Sequence, residues 1–421
     1  MMIKRLHRYK DLIIWLMAFA LIISFIYIYN PGRKTVLKLG VYAGSSWDVP
    51  SNDTKVLDRV IKKFEKAYPN VTVTYESGIQ KSEYSQYLAQ KIVQGEQPDV
   101  FVVPQDDFAL LADNGALEDI TQYMVSNRLS KTDFYEAAYN TGVYHNALYG
   151  LPLESNPMMM CVNIDLLNKE GIQLPTSLDL NQFYDICKKV THDGQYGVAG
   201  ISWQNIGDSF GLKVFTDQGK EAHINDETFK KTINFYIKLQ NLNKGYQVSS
   251  KDFDEGKVAF MPMTLAQYRT YKPYPYRVAK YSTFNWDCIT MPTMLKRPQT
   301  RLNTILLSLS SRCTNKQMGF AFMKMLCDDT TIQQEWLKSN LGASPLQAVM
   351  NSQKIEELFE KTEALKSSTI DSIMQTSYTY PLFKKKAQAA MKLDYLINQA
   401  INNDNNNIDY AYIQQEVDQE L

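Results

Sequence analysis

Two loops of the chain combine side chains that could bind a small polar molecule. Trp47 and Asp48 follow the first apolar stretch after residue 35, and Asp106 and Asp107 follow the apolar run 100–103. An indole ring covers a flat apolar surface, whereas a carboxylate accepts hydrogen bonds from hydroxyl groups. These residue types can therefore bind a small molecule through both ring contacts and hydrogen bonds.

Sequence motifs of several common enzyme classes are absent from the chain. It has no Gly-x-Ser-x-Gly elbow, no His-Glu-x-x-His pair and no glycine-rich phosphate loop. Its four histidines are far apart, and its five cysteines are odd in number and widely spaced. We therefore expect no catalytic metal, no cofactor and no disulfide framework, and we interpret the cysteines as small buried hydrophobic residues.

The elements that must position the two loops alternate between strand and helix. Apolar residues alternate over 37–43, which predicts a strand, and they recur at helical spacing over 56–64, which predicts a helix. A second strand over 71–75 and a helical stretch over 84–93 precede the buried run 100–103. This order predicts an open, parallel α/β lobe, in which ligands bind beyond the carboxyl ends of the strands.

The composition indicates a globular protein of more than one domain. The chain has 421 residues, of which 44% are hydrophobic and 21% are charged. Lysine and arginine together number 45, as do aspartate and glutamate. Because positive charge is not in excess, the chain lacks the electrostatic field that is typical of nucleic-acid binding. We therefore expect no nucleic-acid partner.

The N-terminal segment differs from the rest of the chain. Basic residues at positions 4, 5, 8 and 10 precede the apolar run 12–29. At about 1.5 Å per residue, a helix of this length nearly crosses a hydrocarbon core of about 30 Å, and the basic flank favours the cytoplasmic side. Residues 27–31 lack the small-x-small pattern of a signal-peptidase site. We therefore expect residues 1–35 to form a basic cytoplasmic segment and an uncleaved transmembrane anchor, with the rest of the chain extracellular.

Several short segments lie in a definite order after this anchor. They are Gly95-Glu96-Gln97-Pro98-Asp99, Asn114-Gly115-Ala116-Leu117-Glu118-Asp119, Tyr149-Gly150-Leu151-Pro152, Gly256-Lys257-Val258-Ala259, Trp286-Asp287-Cys288-Ile289 and Leu341-Gly342-Ala343-Ser344-Pro345. In their order and spacing they resemble segments of extracellular solute-binding proteins of the sugar-binding, maltose-binding type. The resemblance covers nearly all of the chain that follows the anchor.

The resemblance implies a two-lobed α/β fold of the periplasmic-binding-protein type (type II), with a ligand cleft between the lobes. The N-terminal lobe is then expected to contain residues 36–152 and 302–326, and the C-terminal lobe residues 153–301 and 327–421. The glycine pair that the family usually has near the second of three interlobe crossings is absent, and residues 301–303 are Arg-Leu-Asn. This difference leaves the identity of the ligand open.

The resemblance also extends the set of candidate ligand-binding residues. A sugar has an apolar face of C–H groups and a rim of hydroxyls, so its site needs aromatic rings and carboxylate or amide groups. Asn156 matches a polar hinge position of the family. Trp203 and Gln204 match a loop that offers an aromatic ring, and Met263 and Tyr268 follow a Gly-Lys-x-Ala motif. Tyr378 and Tyr380 could close the pocket from the second lobe, but we interpret them as part of a packed turn. The complete predicted set is Trp47, Asp48, Asp106, Asp107, Asn156, Trp203, Gln204, Met263 and Tyr268.

In function, the resemblance implies the receptor of an ABC transporter and not an enzyme. We expect a membrane-tethered monomer that captures a carbohydrate, as an oligosaccharide, and delivers it to the permease subunits. Two alternatives stay open. The same cleft could serve a sugar sensor or surface-binding receptor with a non-transporter partner, or Asp106 and Asp107 could belong to a glycoside-cleaving site.

Overall fold

The structure is a computed structural model that describes residues 17, 19, 34–44, 55–175, 177–216, 219–271, 284–362, 365–404 and 407–421. Its strands are β1 (Thr35–Gly40), β2 (Val71–Tyr75), β3 (Val100–Val103), β4 (Val143–Tyr144), β5 (Ala147–Leu148), β6 (Gly150–Asn156), β7 (Met158–Asn163), β8 (Tyr196–Val198), β9 (Phe215–Thr216), β10 (Glu221–Ala222), β11 (Val258–Thr264), β12 (Trp286–Ile289) and β13 (Asn303–Leu309). Its α-helices are α1 (Lys55–Ala67), α2 (Lys81–Gln94), α3 (Gln105–Asp113), α4 (Thr121–Ser126), α5 (Glu136–Thr141), α6 (Ile164–Lys169), α7 (Leu180–Val190), α8 (Trp203–Phe210), α9 (Glu227–Gln240), α10 (Ser250–Asp254), α11 (Leu265–Tyr271), α12 (Lys316–Asp328), α13 (Thr330–Ser339), α14 (Gln347–Met350), α15 (Gln353–Thr362), α16 (Ser367–Thr376), α17 (Lys386–Asp404) and α18 (Tyr410–Asp418).

The first sheet has the strand order β2-β1-β3-β13-β6. β1 is parallel to β2 and β3, as the alternation of strand and helix predicts. β13 is antiparallel to both β3 and β6, and it pairs Leu306 with Val103. The sheet is therefore mixed and not wholly parallel, because a strand from far along the chain is inserted beside β3.

Both faces of β3 are covered by helices. Val100 and Val102 belong to a buried core that includes residues of α1 and α12, whereas Phe101 and Val103 belong to a core that includes residues of α2 and α3. Successive side chains of a strand point to opposite faces, so a continuous apolar run is the pattern of a strand that is buried on both sides. The loop after β3, which starts α3, consequently lies at the carboxyl edge of the sheet.

The second sheet has the strand order β12-β7-β11-β8. β7 is antiparallel to β11 and β12, and β11 is parallel to β8. The chain passes from the first sheet to the second at Pro157, since β6 ends at Asn156 and β7 begins at Met158. Proline has no backbone N–H to donate to a strand ladder, so it interrupts the pairing at this point. Two α/β lobes result, one around each sheet.

A buried arginine joins α11 to the end of α13. Arg269 is 6% exposed, and its Nη1 donates to the backbone carbonyl oxygens of Leu337 at 2.9 Å and Asn340 at 2.5 Å. The residues after α13 are also held to β6, because the Glu154 carboxylate accepts a hydrogen bond from the Gly342 N–H at 2.6 Å. These contacts hold α13 between β6 of the first sheet and α11, the helix that follows β11 of the second sheet.

The expected membrane anchor lies outside the described residues, apart from Met17 and Phe19. Within the part of the chain that the structure describes, no helix combines the length and the apolar composition needed to cross a membrane. The anchor therefore stays a prediction from the sequence.

Candidate functional site

A cavity of about 600 Å³ lies between the carboxyl edge of the first sheet and elements of the second lobe. Polar and aromatic side chains from both sides face this space, which is the composition expected of a small-molecule site. Its lining residues are Tyr42, Lys81, Tyr84, Ser85, Pro104, Gln105, Asp106, Asn156, Asn303 and Ile305 on the first-sheet side, and Trp203, Gln204, Phe215, Thr264, Gln267, Arg301, Leu302, Tyr380, Lys386, Ala390, Leu393 and Asp394 on the other.

The two adjacent aspartates after β3 take different positions. Both lie in the first turn of α3, where the helix dipole favours a carboxylate. Asp106 lines the cavity, and its side chain is 73% exposed. Asp107 instead accepts a hydrogen bond from the Ser85 hydroxyl at 2.6 Å, and burial raises its pKa. Asp106 is therefore placed next to the ligand space, whereas Asp107 ties α3 to α2.

Trp203 and Gln204 begin α8 and reach the cavity from the opposite wall. A capping box of Ser202 and Asn205 satisfies backbone N–H groups at this helix end, which fixes the first turn. Trp203 is only 5% exposed, and the centre of its ring lies 5.4 Å from that of Phe229. Trp203 is thus mainly a core residue, and its small remaining surface contributes to the cavity wall.

The side chains of Trp203 and Gln204 both donate hydrogen bonds to the carboxylate of Asp394, which lies on α17. The Trp203 Nε1 and the Gln204 Nε2 each donate to the Asp394 Oδ1, at 3.1 Å and 2.5 Å. From the described residues, no hydrogen bond reaches the Asp394 Oδ2. Burial raises the pKa of Asp394, while the two donors and the charge of Arg301 oppose that shift. The site therefore presents a positioned carboxylate whose second oxygen can accept a hydrogen bond from a ligand hydroxyl.

Arg301 is held at the cavity wall by an acidic group. Its Nε lies 3.5 Å from the Asp208 Oδ1, which also accepts a hydrogen bond from the Tyr378 hydroxyl at 2.6 Å. Burial disfavours the charged guanidinium, but the charge of Asp208, together with Tyr378, Tyr380 and the hydrogen bond to Asp208, outweighs burial, so the pKa of Arg301 is raised. Its guanidinium carbon lies 4.9 Å from the centre of the Tyr380 ring, a cation–π contact. Arg301 thus stays charged beside an aromatic ring, in the region where the family's glycine pair is absent.

Helix α17 supplies a wall that sequence reasoning missed. Lys386, Ala390, Leu393 and Asp394 line the cavity, and their spacing places them on one face of the helix. Burial lowers the pKa of Lys386, whose Nζ lies 3.7 Å from the Asp106 Oδ1 on the other side of the cavity. The sequence signal for this wall was weak: two charged residues, Lys386 and Asp394, share a helical face with Ala390 and Leu393.

The junction of β11 and α11 forms a further part of the wall. Asn156 lines the cavity at the end of β6, and its Oδ1 accepts a hydrogen bond from the Ala266 N–H at 3.0 Å. Because this N–H lies in the first turn of α11, the Asn156 side chain satisfies a helix end that has no intrahelical partner. Thr264 and Gln267, which were not predicted, line the cavity at the same place.

Three of the predicted ligand-binding residues, Asp107, Met263 and Tyr268, are not on the described cavity wall. Met263 is 1% exposed and Tyr268 is 3% exposed, and both belong to the hydrophobic core of the second sheet. The Tyr268 ring packs against that of Trp286, with 5.2 Å between the ring centres. Trp47 and Asp48 lie outside the described residues. The resemblance that singled out the residues after the Gly-Lys-x-Ala motif did not show which of their side chains point into the core.

Comparison with known proteins identifies the family and its fold. Residues 50–326 match the family model described as bacterial extracellular solute-binding protein. An uncharacterized lipoprotein in the oleD 5' region of Streptomyces antibioticus is 24% identical over 295 residues, which are 63% of this chain and 62% of that protein. The maltotriose-binding protein of Pyrococcus abyssi is 21% identical over 324 residues, 72% of this chain and 66% of that protein. The alignments thus span less than two thirds of either relative.

Solved structures with the same fold include several binding proteins. The sugar-binding protein MalE from Xanthomonas citri has a TM-score of 0.76 at 14% identity, covering 91% of this chain and 96% of that one. The cyclic α-maltosyl-1,6-maltose binding protein from Arthrobacter globiformis has a TM-score of 0.75 at 14% identity, covering 92% and 97%. The ABC substrate-binding protein Lmo0181 from Listeria monocytogenes, in complex with cycloalternan, has a TM-score of 0.72 at 17% identity, covering 92% and 98%. The family match spans more than half of the chain, and the chain therefore belongs to the bacterial extracellular solute-binding proteins.

Proposed function

We propose that this protein captures a carbohydrate, in the form of an oligosaccharide, in the cavity between its two sheets and delivers it to an ABC transporter permease. The family supports the proposal, as do similar proteins named for maltotriose or cyclic α-maltosyl-1,6-maltose or solved with cycloalternan. The observation that carries it is the composition of the wall, where aromatic rings and hydrogen-bonding groups surround about 600 Å³. We expect binding without cleavage of the sugar.

The wall offers both kinds of contact that a sugar requires. Tyr42, Trp203 and Tyr380 contribute aromatic rings, and Asp106 and Asp394 contribute carboxylates. Covering one ring is worth about 1.5 to 3 kcal/mol, and a hydroxyl bonded to a charged acceptor adds about 1.5 to 3 kcal/mol. Two contacts of each kind supply about 6 to 12 kcal/mol before the cost of ordering the ligand is subtracted.

Calorimetry and thermal unfolding with a panel of mono- and oligosaccharides test this proposal. A sugar present at about 100 times its Kd should add about 2.7 kcal/mol to the free energy of unfolding. The sugar should be recovered intact, whereas stoichiometric new reducing ends would favour the glycoside-cleaving alternative. Carbohydrate capture is refuted if the folded protein binds no saccharide of the panel.

The Asp394→Asn substitution is expected to weaken oligosaccharide binding by about 1.5 to 3 kcal/mol, roughly a 10- to 150-fold increase in Kd. Asparagine keeps the shape of the side chain and the Oδ1 that accepts from Trp203, but it lacks the negative charge. Isothermal titration calorimetry measures the change. Asp193→Asn is the matched control, because the Asp193 side chain is 95% exposed and is not part of the cavity wall. Equal Kd values for the two variants would show that Asp394 does not contact the sugar.

Sugar affinity is also expected to decrease as the pH falls through the raised pKa of Asp394, because protonation removes the charged acceptor. Burial is the main cause of that raised pKa, and it also raises the pKa of Asp208, the ion-pair partner of Arg301. The effect of this group on stability has the opposite sign. A carboxyl group whose pKa is raised by folding stabilises the fold in acid, and it loses that contribution as the pH rises.

Titrations with sugar from neutral to mildly acidic pH test the expected loss of affinity. Asp394→Asn should show a flatter profile than the wild type, and identical profiles would contradict the assignment.

The two sides of the cavity are proposed to belong to lobes that close on the ligand, with residues 36–152 and 302–326 in one and 153–301 and 327–421 in the other. In such a hinge, only a ligand that makes different contacts with the open and closed forms shifts their balance. Support comes from a polar contact between residues of the two proposed lobes, where the Lys384 Nζ lies 2.9 Å from the Asp113 Oδ2 of α3. The closed form, as a monomer, is the state that a permease would recognise.

Tethering to the membrane completes the proposal. The basic and apolar character of residues 1–35 supports a transmembrane anchor with the binding lobes outside the cell, and one relative is described as a lipoprotein. Affinity isolation of the full chain in detergent, from cells grown on the sugar that binds, tests both parts. Recovery of a permease pair from the membrane fraction supports delivery, whereas recovery of a histidine kinase without a permease would favour the sensor alternative.

A further inference from the structure

Two cysteines that are far apart in the sequence meet in the second sheet. Cys161 on β7 and Cys288 on β12 are directly opposite each other in the antiparallel register of these strands. They are 127 residues apart in the chain, and their Sγ atoms, which are not bonded in the structure, lie 2.9 Å from each other. Both side chains are buried, with Cys161 at 0% and Cys288 at 5% exposure. The expectation that the five cysteines are only small hydrophobic residues does not account for this pair.

The register satisfies the backbone requirement for a covalent bond between the two residues. Directly opposed residues of antiparallel strands have Cα atoms about 4.5 to 5.5 Å apart, which falls within the roughly 4.4 to 6.8 Å that disulfides span. The sulfur atoms are also closer than the ~3.5 to 4.0 Å at which non-bonded carbon atoms usually rest. We propose that Cys161 and Cys288 form a disulfide bond in the exported protein.

The location of the protein supplies the chemistry for this step. Members of this family act outside the cytoplasm, where disulfides form and persist. Formation of the S–S bond removes one proton from each thiol and two electrons from the pair. The oxidant is the disulfide of a thiol oxidoreductase, which takes up the two electrons and two protons and becomes a dithiol. Because both thiols are buried in the folded sheet, the bond forms while the chain folds.

The other three cysteines provide an internal reference. Cys187, Cys313 and Cys327 are all buried, and no pair of their sulfur atoms lies within contact distance in the described structure. Burial raises the pKa of each of these thiols, which disfavours the reactive thiolate. They therefore remain thiols and can be counted against the bonded pair.

The bond would fasten β12 to the sheet. β12 is an edge strand of the described second sheet, paired on one side with β7, and it precedes the segment that leads to Arg301 in the cavity wall. A bond that closes a loop of this length restricts the unfolded chain strongly, so it stabilises the folded state.

Counting thiols in the full chain tests the bond directly. The protein is expressed with export, unfolded without reductant and treated with N-ethylmaleimide, and the adducts are counted by intact mass. We expect three adducts before reduction and five after it, because two of the five cysteines are in the bond. Peptide mapping should then find a cross-link between the peptides that contain Cys161 and Cys288. Five adducts before reduction, or a cross-link that involves another cysteine, would overturn the proposal.

Variants separate the bond from general packing. Cys161→Ala should carry four adducts both before and after reduction, whereas the matched control Cys187→Ala should carry two before and four after. Reductant should lower the thermal midpoint of the wild type and of Cys187→Ala by about 5 to 10 °C and leave that of Cys161→Ala unchanged. Equal responses of the two variants to reductant contradict the bond. The adduct count on the wild type decides the question even if a variant does not fold.

Discussion

The Arg269→Met substitution is expected to lower the free energy of unfolding by about 3 to 5 kcal/mol. Arg269 is buried, and its Nη1 donates to the carbonyl oxygens of Leu337 and Asn340 at 2.9 Å and 2.5 Å. Methionine can fill much of the space of the aliphatic stem, but it has no N–H group. The carbonyl oxygens near the end of α13 would then be buried without these donors, and water cannot replace them at no cost.

Chemical denaturation followed by circular dichroism, without added sugar, measures this change. Arg59→Met is the matched control, because the Arg59 side chain is 54% exposed and lies 3.7 Å from the Glu335 carboxylate. An exposed ion pair of this kind contributes about 0.2 to 1 kcal/mol. A loss of less than 1 kcal/mol for Arg269→Met would show that the α11–α13 contacts are not important for stability.

The Trp203→Ala substitution is expected to reduce both stability and sugar binding. The ring is buried against Phe229, so its removal should cost about 3 to 5 kcal/mol of folding free energy. It also removes the Nε1 donor that holds Asp394, and with it part of the apolar wall. We also expect sugar binding to become less favourable by about 1 to 3 kcal/mol, as measured by calorimetry on the folded protein.

Two companion variants separate these effects. Trp203→Phe keeps an aromatic ring but removes the donor to Asp394, so its affinity should fall more than its stability. Trp286→Ala removes the same type of side chain from β12, which is not part of the cavity wall, so it should lose stability and keep the wild-type Kd. A wild-type Kd in Trp203→Ala would place the sugar away from α8.

Much of the first lobe could be predicted because its signals are local. The strand predicted over 71–75 is β2, and the buried run 100–103 is β3. Alternation within a strand and helical spacing within a helix depend on residues only a few positions apart, so a single sequence displays them. The resemblance to extracellular solute-binding proteins is confirmed by the family match over residues 50–326, since it depended on several ordered segments and not on one motif.

The candidate site was only partly predictable. Asp106, Asn156, Trp203 and Gln204 line the cavity, and their contact with a ligand stays a prediction. Strand-end reasoning could not separate Asp106 from Asp107, because the two differ only in the direction that each takes in the first turn of α3. The wall formed by α17 was missed because the helical face that carries Lys386 and Asp394 contains no binding-site motif and meets the cavity only through tertiary packing.

By itself, the sequence determined the α/β class and the position of the loop after β3, since these follow from short-range patterns, and it determined the family through the order of several short segments. Only the tertiary structure decided that β13 enters the first sheet antiparallel to β3, that Asp394 meets Trp203 from 191 residues away, and that Cys161 meets Cys288. The physical reason is that such contacts depend on how whole sheets and helices pack. The fold, and not the neighbouring residues in the sequence, determines which distant residue each side chain contacts.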